Sequence, residues 1–215
     1  MRIAILLFDR VTVLDAIGPY QVLAHVPGNE VVFVGERTGP VRDSEGQLSL
    51  VVDAPLDQVS TPDVVVVPGG PGQGDHMADG PVHQWLRAVD QHTTWTTSVC
   101  TGSLVLAAAG LLTGRRATTH WLAMDELTPF GVTPVRERTV IDGKYATAAG
   151  VSAGIDMALT LVGRTHGDNM AQRVQLGIEY DPQPPYQAGS PDTAPADMVA
   201  DIRGRSRFRA AAAQA

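Results

Sequence analysis

Apolar residues along the chain fall into two kinds of run. Residues 2–8 (RIAILLF) and 63–70 (DVVVVPGG) are apolar without alternation, the pattern of strands covered on both faces of a parallel sheet. Residues 18–26 (GPYQVLAHV), 81–92, 152–163 and 169–180 instead carry apolar positions at helical spacing, and Pro81 suits a first helical turn. Residues 30–36 and 94–99 (TWTTSV) read as further strands. The stretch 102–112 (GSLVLAAAGLL) is apolar all round, as expected of a helix packed inside a domain, with the TGRR at 113–116 supplying its glycine stop and terminal cations.

Two hairpins are expected, over 39–53 around Glu45-Gly46 and over 138–149 around Asp142-Gly143. A short extended segment at 116–121 leads into a short helix at 122–127. Strand and helix thus alternate throughout, predicting an α/β sandwich around a mostly parallel sheet. Residues 181–195 (DPQPPYQAGSPDTAP) break the pattern with five prolines and read as an ordered extended arm. The expected division is an α/β domain over 1–180 and, over 181–215, a Pro-rich arm and C-terminal helix packed on the same domain or on a dimer partner.

Composition narrows the function classes. At 215 residues the chain can bury a substantial core without crosslinks. One cysteine permits no internal disulfide, and no Cys/His grouping offers a metal site, so no metal and no cofactor is expected and the composition suits a cytoplasmic protein. The net charge of -7 argues against a nucleic-acid partner. The basic run RGRSRFR at 203–209 reads as a solvated helix end, with no function assigned to it. The first apolar run is too short for a signal peptide or membrane span, so no membrane association is expected.

The lone Cys100 stands in TSVCTGS, between an expected strand and an expected helix. A cysteine can be a small buried hydrophobe. A strand feeding directly into a helix, however, places the thiol at the carboxyl edge of the sheet, where ligand crevices lie, on a turn like a nucleophile elbow. Free amides near Thr101, Gly102 and Ser103 would favour the thiolate, and Gly102 lets another backbone approach. The loop PGGPG at 68–72 is either a simple turn or, through the Gly70 amide together with that of Thr101, a donor pair for an anion formed at the sulfur. Asp15 is suited to two roles, the N-cap of the first helix or a carboxylate meeting Cys100, because the loops after the first, VVVV and cysteine strands converge. His120, beside Trp121, is either a satisfied structural histidine or a base. The remaining histidines, His25, His76, His83, His92 and His166, read as surface residues.

The segments LLFDRVTVLDAIGPYQVL, VVVVPGGPG, TSVCTGSLVLAAAGLLTGRRATTHW, AGIDMALTL, AQRVQLGIEY and PPYQAGSPDTAP resemble the PfpI-like superfamily, and within it most closely the isonitrile hydratases. The resemblance spans nearly the whole chain. It implies a flavodoxin-like, class I glutamine amidotransferase-like fold and a cofactor-free homodimer that hydrates an isonitrile, a small-molecule substrate, to an N-substituted formamide. It also implies Cys100 as nucleophile, a carboxylate at Asp15 and Thr101 as polar neighbour. Asp15 is then expected to act as general acid and base, and Gly69, Gly70, Gly102 and His120 are expected to form the oxyanion and substrate pocket. Other superfamily members carry glutamate where this chain has Asp15, and the peptidase-like members carry histidine where it has Thr101. Two rival readings share these motifs. One is a glyoxalase or deglycase acting on reactive carbonyls. The other is a redox- or ligand-sensing domain like that of AraC-type regulators, which continue into a DNA-binding region for which 215 residues leave no room.

Overall fold

The two unbroken apolar runs become adjacent parallel strands in the middle of one sheet. In the computed structural model, which describes residues 1–208, the strands are β1 (Arg2–Leu6), β2 (Glu30–Gly35), β3 (Gly39–Arg42), β4 (Ser49–Val52), β5 (Ala54–Pro55), β6 (Val64–Val67), β7 (Trp95–Val99), β8 (Arg116–Ala117), β9 (Thr133–Pro134), β10 (Thr139–Asp142) and β11 (Tyr145–Ala148). The helices are α1 (Val13–Leu23), α2 (Pro81–Asp90), α3 (Gly102–Ala108), α4 (Ala153–His166), α5 (Asp168–Gly177) and α6 (Ala196–Arg205). The main sheet runs β10-β11-β7-β6-β1-β2-β5, and every pairing in it is parallel except β10 with β11. β3 and β4 form the expected antiparallel hairpin beside it.

The continuous runs divide between the two faces with period two. Ala4, Leu6, Val65 and Val67 join one buried cluster with Val82, Trp85 and Leu86 of α2 and Leu104 and Val105 of α3. Ile3, Ile5, Val64 and Val66 join the opposite cluster with Ala16 and Val22 of α1 and Met157, Ala158 and Leu161 of α4. Each fully buried Val or Leu contributes about 1.5–3 kcal/mol relative to exposure, so both layers hold the sheet. The threonine hydroxyls of the polar strand β7 find acceptors, Thr97 Oγ1 donating to Val65 O at 2.8 Å and Thr96 Oγ1 to Asp90 Oδ1 at 2.7 Å, whereas the buried Ser98 hydroxyl has no partner among the described residues.

Three expectations are corrected. The apolar stretch 102–112 is not one helix: α3 ends at Ala108, and Gly110, at φ +83°, turns the chain before Gly114 can act as the stop. The backbone then turns through residues 109–114, where Gly110, Thr113 and Gly114 are exposed while Leu112 is fully covered. The helix expected over 122–127 is a longer 3₁₀ segment, Trp121–Phe130, closed by Gly131 in the left-handed region. His83 is buried rather than on the surface, because α2 packs against the turn 71–76, where the His76 carbonyl lies 2.9 Å from His83 Nε2. His76 itself is half-buried against Phe8.

Residues 181–195 carry neither helix nor strand, and α6 follows with none of its residues buried. Residues 209–215, which include the end of the arm and the last residue of the basic run, lie outside the described residues. Among the described residues, no helix is long and apolar enough to cross a membrane.

Candidate active site

The strand order switches direction between β1 and β6, and the loops leaving their carboxyl ends part there to leave a crevice. α1 begins after β1 and carries Asp15 in its first turn. The glycine turn follows β6, and Cys100 follows β7. Three segments far apart in sequence therefore meet at one edge of the sheet.

Cys100 has φ +57°, a left-handed conformation that costs a non-glycine residue of order 1–3 kcal/mol. The surroundings enforce it. Its amide donates to Ala148 O at 3.1 Å and to Ala149 O at 2.9 Å. Its carbonyl accepts from Thr119 Oγ1 at 2.9 Å and Ser103 Oγ at 3.2 Å. Gly102 lies so close to β6 that a Cβ there would stand 2.0 Å from Val67 O, so no side chain fits. This is the strained elbow that the strand-Cys-Thr-Gly pattern suggested.

Asp15 is fully buried and does not cap α1; Thr12 occupies the N-cap position. The carboxyl instead points across the crevice, with Oδ2 accepting the Gly69 amide at 2.9 Å. Its Oδ1 is buried and has no hydrogen-bond partner among the described residues. Burial pushes the Asp15 pKa up to about 7, with the Gly69 amide and the Cys100 thiol working in the opposite direction.

The thiol is pushed up as well, first by burial and then by the Asp15 charge, while the amides of Thr101 and Val151 oppose the shift. Expectation and structure part here. The helix amides favour the thiolate but do not outweigh desolvation, because α3 is short and Cys100 is only 5% exposed. At neutral pH the pair therefore holds one proton on sulfur beside an Asp15 that is near its titration point.

The glycine turn is also committed differently from expectation. The Gly70 amide donates to Thr101 Oγ1 at 3.1 Å, so it orients the hydroxyl instead of facing an anion directly. The group that the sequence did not reveal is Val151, at φ +32° in the turn before α4, whose amide favours the thiolate and so works against the rise of the thiol pKa. Gly150 before it was the only local signal of that turn.

His120 lines a cavity of about 450 Å³ next to this corner. Its ring packs against Gly150, its Nδ1 accepts the Leu122 amide at 3.3 Å, and burial lowers its pKa. Leu14, Trp121 and Met124 give the cavity apolar patches beside the charged Arg136, Glu137, Arg138 and Arg203, and Ala149–Val151 and residues 189–192 of the arm line it as well. The size is that of a small-molecule site.

The raised Asp15 pKa makes a stability prediction. Between the unfolded value near 4 and the folded value near 7, the native state binds the extra proton, so the contribution of Asp15 to stability is fully present below about pH 4 and is lost as pH rises through 7. Asp15→Asn removes this dependence and is expected to be more stable than the native protein at pH 8, by roughly 3–4 kcal/mol from the size of the shift. The difference should vanish near pH 4. Urea denaturation of both proteins at the two pH values measures it, and equal stabilities at pH 8 would overturn the assignment of a strained, buried carboxylate.

A model of the DJ-1/PfpI family matches residues 1–164. An isonitrile hydratase of Pseudomonas putida is 46% identical over 206 residues, covering 96% of this chain and 90% of that protein. An HTH-type transcriptional regulator of Pseudomonas aeruginosa is 39% identical over 139 residues, covering 63% of this chain and 40% of the regulator. The crystal structure of a ThiJ/PfpI family protein from Pseudomonas syringae superposes with a TM-score of 0.91 at 36% identity, covering 94% of this chain and 84% of that one. With the matched region running from β1 through nearly all of α4, and so including the elbow and the Asp15 and glycine turns, the chain belongs to the DJ-1/PfpI family.

Proposed function

We propose that this protein hydrates isonitriles to N-substituted formamides, with Cys100 as nucleophile and Asp15 as general base and acid. One observation carries the reading: Asp15 Oδ1, buried and unpaired, lies in the corner where the carboxyl and the Cys100 thiol perturb each other. A group so placed can take a proton from sulfur and return it to a neighbouring carbon. The presence of aspartate at 15 and threonine at 101, and the likeness to the hydratase of Pseudomonas putida, support the same substrate class.

The steps follow from the proton positions. Asp15 accepts the thiol proton as sulfur attacks the terminal carbon of R–N≡C, and then delivers it to that carbon, leaving the thioimidate R–N=CH–S–Cys100. Asp15, again a carboxylate, draws a proton from water as the oxygen adds to the same carbon, and that proton passes to nitrogen. The tetrahedral species R–NH–CH(OH)–S–Cys100 then collapses: the hydroxyl proton returns to sulfur, the C–S bond breaks and R–NH–CHO leaves. The amides of Thr101 and Val151, with the Thr101 hydroxyl held by Gly70, steady the negative charge on sulfur. The cavity lined in part by Leu14, Trp121, Met124 and His120 receives the R group, and its apolar patches suit an alkyl or aryl substituent. Gly69 and Gly102 act through backbone placement alone.

We read the protein as a cytoplasmic homodimer, with the arm at 181–208 completing the cavity wall of its own chain or packing on the partner. A sedimentation mass of one chain would overturn the dimer. The substrate reading is tested by incubating the protein with an alkyl isonitrile, an aryl isonitrile and methylglyoxal in parallel. Many turnovers of formamide per chain are expected. Lactate without formamide would replace the reading with a glyoxalase, and Cys100 alkylation without turnover of any of the three would favour a sensor.

A further inference from the structure

The basic run that the sequence left without a role places one of its guanidinium groups on the glycine turn beside Cys100. Arg207 Nη1 donates to Pro71 O at 2.6 Å, and Nη2 donates to Gly70 O at 3.0 Å and to Gln73 Oε1 at 3.0 Å. The rigid fork of an arginine matches such a set of acceptors, whereas a lysine would satisfy fewer of them. The segment is docked rather than loose: Phe208 packs against the cluster beneath the turn, and the Arg207 guanidinium lies 4.5 Å from its ring.

The consequence lies in what the clamped turn holds. The Gly70 peptide is engaged at both ends, its carbonyl by Arg207 and its amide by Thr101 Oγ1. One residue earlier, the Gly69 amide holds Asp15. A guanidinium from the far end of the chain is thus linked to the two side chains beside Cys100, to Thr101 through Gly70 and to Asp15 through Gly70 and Gly69. Clamped on Gly70, the guanidinium lies at the corner that holds Cys100, so an anionic sulfur would attract it, against the burial that lowers the Arg207 pKa. The other charged or titratable groups at this corner are Asp15, His120 behind Gly150, and Arg10, which is paired with Asp75 at 2.6 Å.

We propose that Arg207 is a positioning residue for the reaction at Cys100, clamping the Gly69–Pro71 turn so that Asp15 and Thr101 are held in register and providing positive charge towards the sulfur as it becomes anionic. The turnover part of the test rests on the isonitrile reading; the alkylation part does not.

The variants are Arg207→Gln and Arg207→Lys, each with its melting temperature measured. For Arg207→Gln, the pH midpoint of Cys100 alkylation by iodoacetamide is expected to rise by about one unit, slowing alkylation at pH 7 roughly tenfold. Turnover of the isonitrile should fall by a similar factor, about tenfold, with KM changed less than about twofold. Arg207→Lys, which keeps the charge, should recover most of the alkylation shift and only part of the turnover. An alkylation profile for Arg207→Gln that superposes on the native one overturns the inference, whatever turnover does, and so does a profile for Arg207→Lys no better than that of Arg207→Gln. A shifted profile in a protein that hydrates no isonitrile leaves the inference standing and removes the substrate reading instead.

Discussion

Cys100→Ala is expected to abolish isonitrile hydration, by at least about a thousandfold, while the protein still folds. The loss is this large because every bond change in the proposed sequence passes through the sulfur, and the remaining groups have no nucleophile to assist. Folding should survive, since alanine fits the space that the thiol fills and keeps the amide and carbonyl contacts to Ala148, Ala149 and Thr119. Losing one buried sulfur costs about 1 kcal/mol, in the ordinary range for a single substitution. The left-handed backbone at 100 remains strained in the variant as in the native protein. Formamide detected by mass spectrometry, together with a thermal melt, checks both halves. Turnover at the native rate would remove Cys100 from the chemistry.

Asp15→Asn is expected to lower turnover by about 10²–10⁴-fold, the range associated with loss of a positioned acid or base. The amide oxygen of asparagine can still accept from the Gly69 amide, so the crevice should keep its shape. What it cannot do is carry a proton between sulfur and carbon. In the native enzyme kcat/KM should rise as pH increases through about 7, because below that value Asp15 is protonated and cannot accept the thiol proton. That limb should be missing from the residual activity of the variant. The same substitution is expected to stabilise the fold at pH 8, so activity and stability should move in opposite directions, as expected where a charge is buried for chemistry. A pH-rate profile of unchanged shape would assign the ionisation to another group.

The fold was legible because its signals are local. Unbroken apolar strands, helical spacing and two turn-flanked hairpins depend only on near neighbours, and they recover the parallel sheet with helices on both faces. The elbow was legible for the same reason, since a strand, a cysteine, a glycine and an apolar run follow one another directly. The end of α3 was missed because both Gly110 and Gly114 are chemically competent stops, and only the packing of Leu112 selects the first. His83 was missed because the carbonyl beside its ring comes from a turn whose path the sequence does not draw.

By itself, then, the sequence determined the layered architecture and the place of Cys100 at the edge of the sheet, consequences of periodicity and strand order, and left Asp15 between a helix cap and a partner of the thiol. Only the tertiary structure decided where the proton rests, which amides face the sulfur and which distant residues support the corner. The Val151 amide, in the turn before α4, favours the thiolate, and Arg207 reaches the glycine turn from beyond α6. The physical reason is desolvation. The charge state of Asp15 and Cys100 depends on how completely other segments exclude water from them, and that exclusion is a property of the assembled fold rather than of any one stretch of chain.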